Sequence, residues 1–300
     1  MKRRCPVPAP RNLYSQLPMP ETQRSDQTWE RVTRARHANR PRTLGYISGL
    51  CTEFVPLHGD RLFGDDAAMV GGVGRFNGRS VMLIGHQSGA DTKENLKRNF
   101  GMSKPEGYRK AKRLMLHAEK FGFPVIAFID TMAADPTLPS EERGQAIAIA
   151  ESILTMLGLR VPTISVVIGQ GGSGGALAIG VTDRILMMEN AVYSVAPPEA
   201  AALILKLDPS TRQDVAAAMR ITGPESHIFG VIDEVVPEPI PAHEDPLDAI
   251  DAVGNAIERH LASLDATYGV GADLDVARLL RDRYAKYRNV GEWIEQATDV

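Results

Sequence analysis

Residues 166–180 read VVIGQGGSGGALAIG, and three chemistries fit the spacing of their glycines. Gly169, Gly171 and Gly174 match the G-x-G-x-x-G pattern of dinucleotide binding, with Glu189 placed where a ribose-binding acid would stand. Gly171, Ser173 and Gly175 match the G-x-S-x-G elbow of a serine hydrolase. The third reading needs no reactive side chain. Bare backbone N–H groups at a helix start would face an oxygen that gains negative charge during reaction.

The surrounding sequence weighs these readings differently. A dinucleotide-binding helix needs roughly ten residues or more to cross back over its sheet, yet GGALAIGV runs at once into Thr182 and Asp183. A hydrolase needs a histidine and an acid. His227, His243 and His260, with Asp208, Asp214 or Asp233, are available, but no local pattern singles one out. The backbone reading accounts for glycine at nearly every position, because side chains there would block an approaching substrate. Close strand–helix packing is expected to require only one or two of these glycines. One such donor is worth on the order of 3 kcal/mol in a transition state.

The elements that must position this stretch follow from periodicity. VMLIG (81–85), PVIAFID (124–130) and TISVVIG (163–169) are apolar runs rich in β-branched residues, as expected of strands buried on both faces. Helical spacing separates them, through Ala111, Leu114, Met115 and Ala118, then Ala150, Ile153, Leu154 and Leu157. Further strands are expected at 184–189, 191–196 and 230–236. The alternation predicts an α/β core. If the strands are parallel, three turns meet at one sheet edge: Gly85-His86-Gln87, Asp130-Thr131-Met132-Ala133 and Gly169–Gly175.

Residues 1–27, proline-rich and polar, are expected to form a disordered tail. The α/β domain is placed at 28–245 and a helical extension at 246–300, packing on the core or on a partner. The extension carries one stripe through Ile250, Val253, Ile257, Leu261 and Leu264, and another through Val276, Leu279, Leu280, Tyr284 and Tyr287. Arg31, Arg34, Arg36, Arg40 and Arg42 read as a solvated face or a docking surface, as does the basic run from Lys93 to Lys120.

A formal net charge of −3 gives no case for binding nucleic acid or an acidic membrane surface. Cys5 and Cys51 cannot make a four-cysteine zinc site, and both read as free thiols in a reducing cytoplasm. No apolar run is long enough to span a membrane.

GHQSGADTKENLKRNFGMSKPEGYRKAKRLM (85–115), FIDT (128–131), EERGQ (141–145), VIGQGGSGGALAIGVTD (167–183), YSVAPPE (193–199) and IDEVVPEP (232–239), with GDRLFGDDAAMVGG (59–72), closely resemble the carboxyltransferase alpha subunit of bacterial acetyl-CoA carboxylase. The resemblance implies a crotonase-like (ClpP/crotonase) fold of stacked ββα units with C-terminal helices. It also implies transfer of a carboxyl group to acetyl-CoA, or a related acyl-CoA, to form malonyl-CoA. The donor would be carboxybiotin on a separate biotin carboxyl carrier protein, with biotin's own ring nitrogen taking the proton. A CoA-binding beta subunit, in the family commonly a zinc-ribbon protein, would complete a heterotetramer of two alpha and two beta chains; no metal is expected in this chain.

Carried onto these residues, the oxyanion donors would be Gly174 and Gly175, with Gly171 and Gly172 shaping the approach. Thr131, Met132, Ala133, His86, Val195 and Pro198 would line the biotin and substrate side. The sequence departs from the family at Met132-Ala133-Ala134-Asp135-Pro136-Thr137, where Pro-Gly-Ala-Tyr-Pro-Gly is usual. It departs again at Ala196-Pro197-Pro198-Glu199. Alanine at 133 penalises positive φ, so that turn is expected to be reshaped. Two readings stay open beside this one: a biotin-independent acyl-CoA decarboxylase or hydrolase, and a scaffold subunit with a closed pocket.

Overall fold

The structure, a computed structural model, describes residues 21–291. Its eight-stranded sheet comprises β1 (Cys51–Pro56), β2 (Met69–Phe76), β3 (Arg79–His86), β4 (Val125–Thr131), β5 (Thr163–Gly172), β6 (Arg184–Met188), β7 (Val192–Ser194) and β8 (Glu234–Val236). The order is β1-β2-β3-β4-β5-β6-β8, and β7 pairs with the end of β5. β2 runs antiparallel to both of its neighbours, β1 and β3, whereas β3 through β6 and β8 run parallel. Every residue of β4 is buried, which explains why its sequence is apolar without alternation.

The helices are α1 (Glu21–Ala35), α2 (Thr43–Leu50), α3 (Thr92–Lys97), α4 (Pro105–Phe121), α5 (Leu138–Glu142), α6 (Gln145–Gly158), α7 (Ser173–Gly180), α8 (Pro198–Ile204), α9 (Arg212–Ala218), α10 (Gly223–Ile228), α11 (Pro246–Tyr268) and α12 (Val276–Arg288). α4 begins with Pro105 in its first turn and ends at Gly122, whose φ of 69° suits the left-handed cap. Its expected stripe, Ala111, Leu114, Met115 and Ala118, is buried. Among the described residues no helix is long and apolar enough to cross a membrane.

Several expectations are corrected. On α6 the inward face is Gln145, Ala148, Ser152 and Met156, while Leu154 and Ala150 are exposed. Polar residues take that face because each finds a partner there. Gln145 Nε2 donates to the carbonyls of Ser103 and Asp135, and Ser152 Oγ donates to that of Tyr108. On α11 the expected stripe is buried, but on α12 Tyr284 points outward and Arg283 inward.

The first twenty residues of the expected tail lie outside the described residues, as do 292–300 of the extension; residues 21–27 begin α1. Ser25 Oγ on that helix donates to Asp214 at 2.9 Å.

The N-terminal arginines, half-exposed except for buried Arg40, are tied to the fold by ion pairs and hydrogen bonds. Arg31 bonds Glu189, Arg34 bonds Glu30 and Asn190, Arg36 bonds Glu199, and Arg42 bonds Asp130. Arg40 makes a fully buried, two-pronged pair with Glu238 at 2.8 and 2.6 Å. In the basic run Lys110 is buried against Asp65 and Arg109 pairs with Asp60, whereas Lys93, Lys97 and Lys120 are exposed.

Candidate functional site

Parallel pairing brings the three expected turns to one sheet edge. Gly85 of β3 stands opposite Phe128 of β4, and Thr131 of β4 opposite Gly171 of β5. β5 then passes directly into α7, an eight-residue helix whose N-cap, Gly172, supplies no side-chain cap. The N–H groups at such a helix start lack intrahelical acceptors and carry the positive end of the helix dipole.

Packing demands far more of the glycines than the sequence reading allowed. A Cβ on Gly169 would stand 2.3 Å from Asp130 Oδ1, one on Gly171 2.4 Å from the Tyr193 ring, and one on Gly172 1.9 Å from the Met132 carbonyl. On Gly175 it would lie 2.9 Å from both Ala134 N and Tyr108 Oη. Gly174 alone of these five has an open side, its nearest neighbour being Ile149 at 3.5 Å. Gly174 is therefore the glycine whose small size close packing leaves unexplained.

Two cavities flank the turn. One, of about 600 Å³, runs along α7 between Ser173, Gly174 and Leu177 on one wall and Tyr193, Val195 and Val231 on the other. The second, of about 520 Å³, opens at the ends of β4 and β5 and takes in Thr131, Met132, Arg42 and Asp130. The structure thus separates the candidate residues, with Gly174 and Val195 facing the first cavity and Thr131 and Met132 the second. Ala133 is half-buried in the turn between them, while Gly171, Gly172, Gly175 and Pro198 are buried.

His86 lines neither cavity. It is wholly buried, and burial holds its pKa down to about 3, so the ring is neutral. The ring lies close to the carbonyls of Gly175 and Phe128, yet neither nitrogen reaches hydrogen-bond geometry. The Tyr108 hydroxyl is also buried and unpartnered, and burial raises its pKa. Each such unmade bond costs about 1–3 kcal/mol. Tyr108 was not among the residues singled out from sequence; nothing in the PEGYRK stretch marks its hydroxyl.

The turn that departs from the family adopts an ordered form. Ala133 keeps a negative φ, so it uses no glycine-only conformation. Thr131 Oγ1 donates to the Ala133 carbonyl at 2.6 Å, and Asp135 accepts from Thr137 Oγ1 and Ser140 Oγ at 2.7 and 2.5 Å. These bonds set Met132 and Ala134 against Gly172 and Gly175.

The hydrolase reading finds a strained serine but no triad. Ser173 has a φ of 54°, as a strand-to-helix elbow would require. His243, however, lies tilted against His37 with ring centroids 4.0 Å apart, His260 bonds Glu234 at 2.8 Å, and His227 is exposed. Glu189, the acid of the dinucleotide reading, pairs with Arg31 and accepts from the Glu238 N–H. The arrangement suits backbone stabilisation of an oxyanion next to an apolar cavity.

Comparison with known proteins shows the family. A family model described as acetyl co-enzyme A carboxylase carboxyltransferase-like matches residues 18–291. The chain is 50% identical to the acetyl-coenzyme A carboxylase carboxyl transferase subunit alpha of Halalkalibacterium halodurans, covering 94% of this chain and 82% of that protein. It is 51% identical to the subunit of the same name from Prochlorococcus marinus strain MIT 9303, covering 90% and 80%.

Among solved structures, a transcarboxylase 12S with hydrolysed methylmalonyl-coenzyme A bound aligns at a TM-score of 0.60 and 19% identity, over 79% of this chain and 45% of that one. A Pseudomonas malonate decarboxylase hetero-tetramer in complex with coenzyme A aligns at 0.57 and 18%, over 75% and 90%. At these identities the likeness is one of fold, the crotonase-like fold.

Proposed function

The chain belongs to the acetyl-CoA carboxylase carboxyltransferase family, and on that premise we propose that it is the alpha half of a biotin-dependent carboxyltransferase that converts acetyl-CoA, or a related acyl-CoA, to malonyl-CoA. The observation that carries this reading is Gly174, which sits open at the uncapped start of α7 on the rim of an apolar cavity. Carboxybiotin on a carrier protein supplies the carboxyl group and, once that group has left, a ring nitrogen to take the α-proton.

This chain's part is electrostatic. The N–H groups of Gly174 and Gly175 bind the ureido oxygen as it gains charge, without reorganising. The walls formed by Leu177, Val195 and Val231 exclude water and suit an apolar bicyclic ring. Thr131 and Ala133 hold the opposing turn through their mutual hydrogen bond.

The thioester and its CoA fall to a beta subunit, with which the chain would form a heterotetramer of two alpha and two beta chains. Exposed Val195, Leu203, Ile204 and Leu205, on and beside α8, form an apolar rim that such a partner would cover. We place the complex in the cytoplasm, in keeping with the free Cys51 thiol.

The Met132–Ala134 turn, pressed onto Gly172 and Gly175, favours one other reading, a scaffold subunit whose pocket has closed. The reverse reaction separates the two. Malonyl-CoA decarboxylation by the chain with a co-expressed beta subunit and biocytin as acceptor is expected only when all three are present. Turnover by the lone chain without biotin would overturn the carboxyltransferase reading, and silence from a stable complex would establish the scaffold.

A further inference from the structure

The turns that build the site meet over a pair of buried side chains that the reaction above leaves unused. Tyr108 on α4 and His86 at the end of β3 lie edge to face, with ring centroids 6.5 Å apart at 67°. Both are wholly buried, and three of their polar atoms, Tyr108 Oη and both ring nitrogens of His86, have no hydrogen-bond partner among the described residues. Interiors rarely leave such groups unmatched, so three in one place demand a reason.

Their surroundings supply one. Tyr108 Oη and the backbone nitrogen of Ala134 both fall 2.9 Å from the point where a Cβ on Gly175 would stand. The His86 ring lies beside the Gly175 carbonyl. The pair thus reaches both the helix start that carries the donors and the Met132–Ala134 turn closed against it.

We propose that Tyr108 and His86 are positioning residues, which set the spacing between the Gly174–Gly175 donors and the opposing turn and complete their hydrogen bonds only in the loaded site. The inference rests on the carboxyltransferase reading. As the turn shifts to admit the ureido oxygen, the Ala134 N–H comes onto Tyr108 Oη and a His86 N–H onto the Gly175 carbonyl. Bonds gained only in the loaded state favour the reactive arrangement over the free one. Such spacing matters, because a displacement of about 1 Å in an oriented site can cost roughly a hundredfold in rate.

The test uses the complex of this chain with its beta partner, assayed by biocytin-dependent malonyl-CoA decarboxylation. Tyr108→Phe keeps the ring and removes only the hydroxyl. It is expected to lower kcat about tenfold, as befits one lost hydrogen bond, while KM for malonyl-CoA stays unchanged and Tm is equal or higher. His86→Asn, which keeps an amide near one ring nitrogen, should retain rate that His86→Leu loses. Wild-type kcat in Tyr108→Phe overturns the inference even if His86→Leu fails to fold. A wild-type complex that turns nothing over overturns the carboxyltransferase reading itself, and this inference with it.

Discussion

Arg283 grips both carboxylate oxygens of Asp183, at 2.7 and 2.8 Å, across 100 positions of sequence. The same guanidinium donates to the carbonyls of Met156, Leu157, Leu159 and Val161, which end α6 and lead into β5. Asp183 in turn accepts from the N–H and hydroxyl of Thr163, the first residue of β5. One buried ion pair therefore anchors the far end of the strand whose other end carries the glycine turn.

Removing the cation should be costly. Arg283→Met leaves a buried carboxylate and four carbonyls without their donor, a change that typically costs about 3–5 kcal/mol. Urea denaturation monitored by circular dichroism should show that loss. Arg283→Lys should recover only part of it, because an ammonium cannot match the planar fork. A loss below about 1 kcal/mol would mean that solvent or rearranged side chains satisfy Asp183.

The glycines should divide by substitution. Gly174→Val is expected to fold normally and lose transfer, since its side chain enters open space at the donor rim. Gly172→Ala should disturb both folding and activity, its Cβ colliding with the Met132 carbonyl. Ser173→Ala should reduce the rate only modestly. Complete loss in a folded Ser173→Ala protein would revive the serine nucleophile.

At Ala133 the backbone conformation predicts a small and opposite lesson. Its φ is negative, so restoring glycine relieves no strain and adds freedom to the unfolded chain. Ala133→Gly should therefore destabilise by about 0.4–1 kcal/mol. A rise in Tm would show that the turn is strained at this position.

Stability should fall with acidification in two stages. Burial holds His86 neutral to about pH 3, whereas in the unfolded chain it takes its proton near 6.5. The unfolded state therefore binds more protons below that pH, and stability declines by about 1.4 kcal/mol per pH unit from this residue. For Asp60, burial pushes the pKa up, but the N–H groups of Leu62 and Phe63, the Arg109 guanidinium and the Gly64 N–H outweigh it and hold the carboxyl at about 2. Its contribution is present above the ordinary 3.8 and is lost as pH falls toward 2. Denaturant midpoints measured from pH 7 to 4 should slope downward, and His86→Asn should flatten that slope; an unchanged slope would mean that His86 protonates in place.

Sequence alone settled the elements whose physics is local. The runs at 81–85, 124–130 and 163–169 match β3, β4 and β5, with only Pro124 falling outside, because continuous apolar, β-branched stretches are stable as strands covered on both faces. The motifs spanning the glycine turn carried the family. β1 and β2 escaped notice. Gly71, Gly72 and Gly74 make β2 read as a loop, whereas a Cβ at each would meet Leu114, the Val55 carbonyl or Leu83 at under 3 Å.

What the tertiary structure decided was which groups become neighbours. No spacing in the chain places Tyr108 against Gly175, Arg40 against Glu238 or Arg283 against Asp183, because each pair is joined by the sheet and not by the local backbone. For the same reason letters could not apportion the glycines. Whether a position needs glycine to admit a neighbouring backbone or to leave a donor open depends on what stands opposite it, and of the five glycines between 169 and 175 only Gly174 has that side clear.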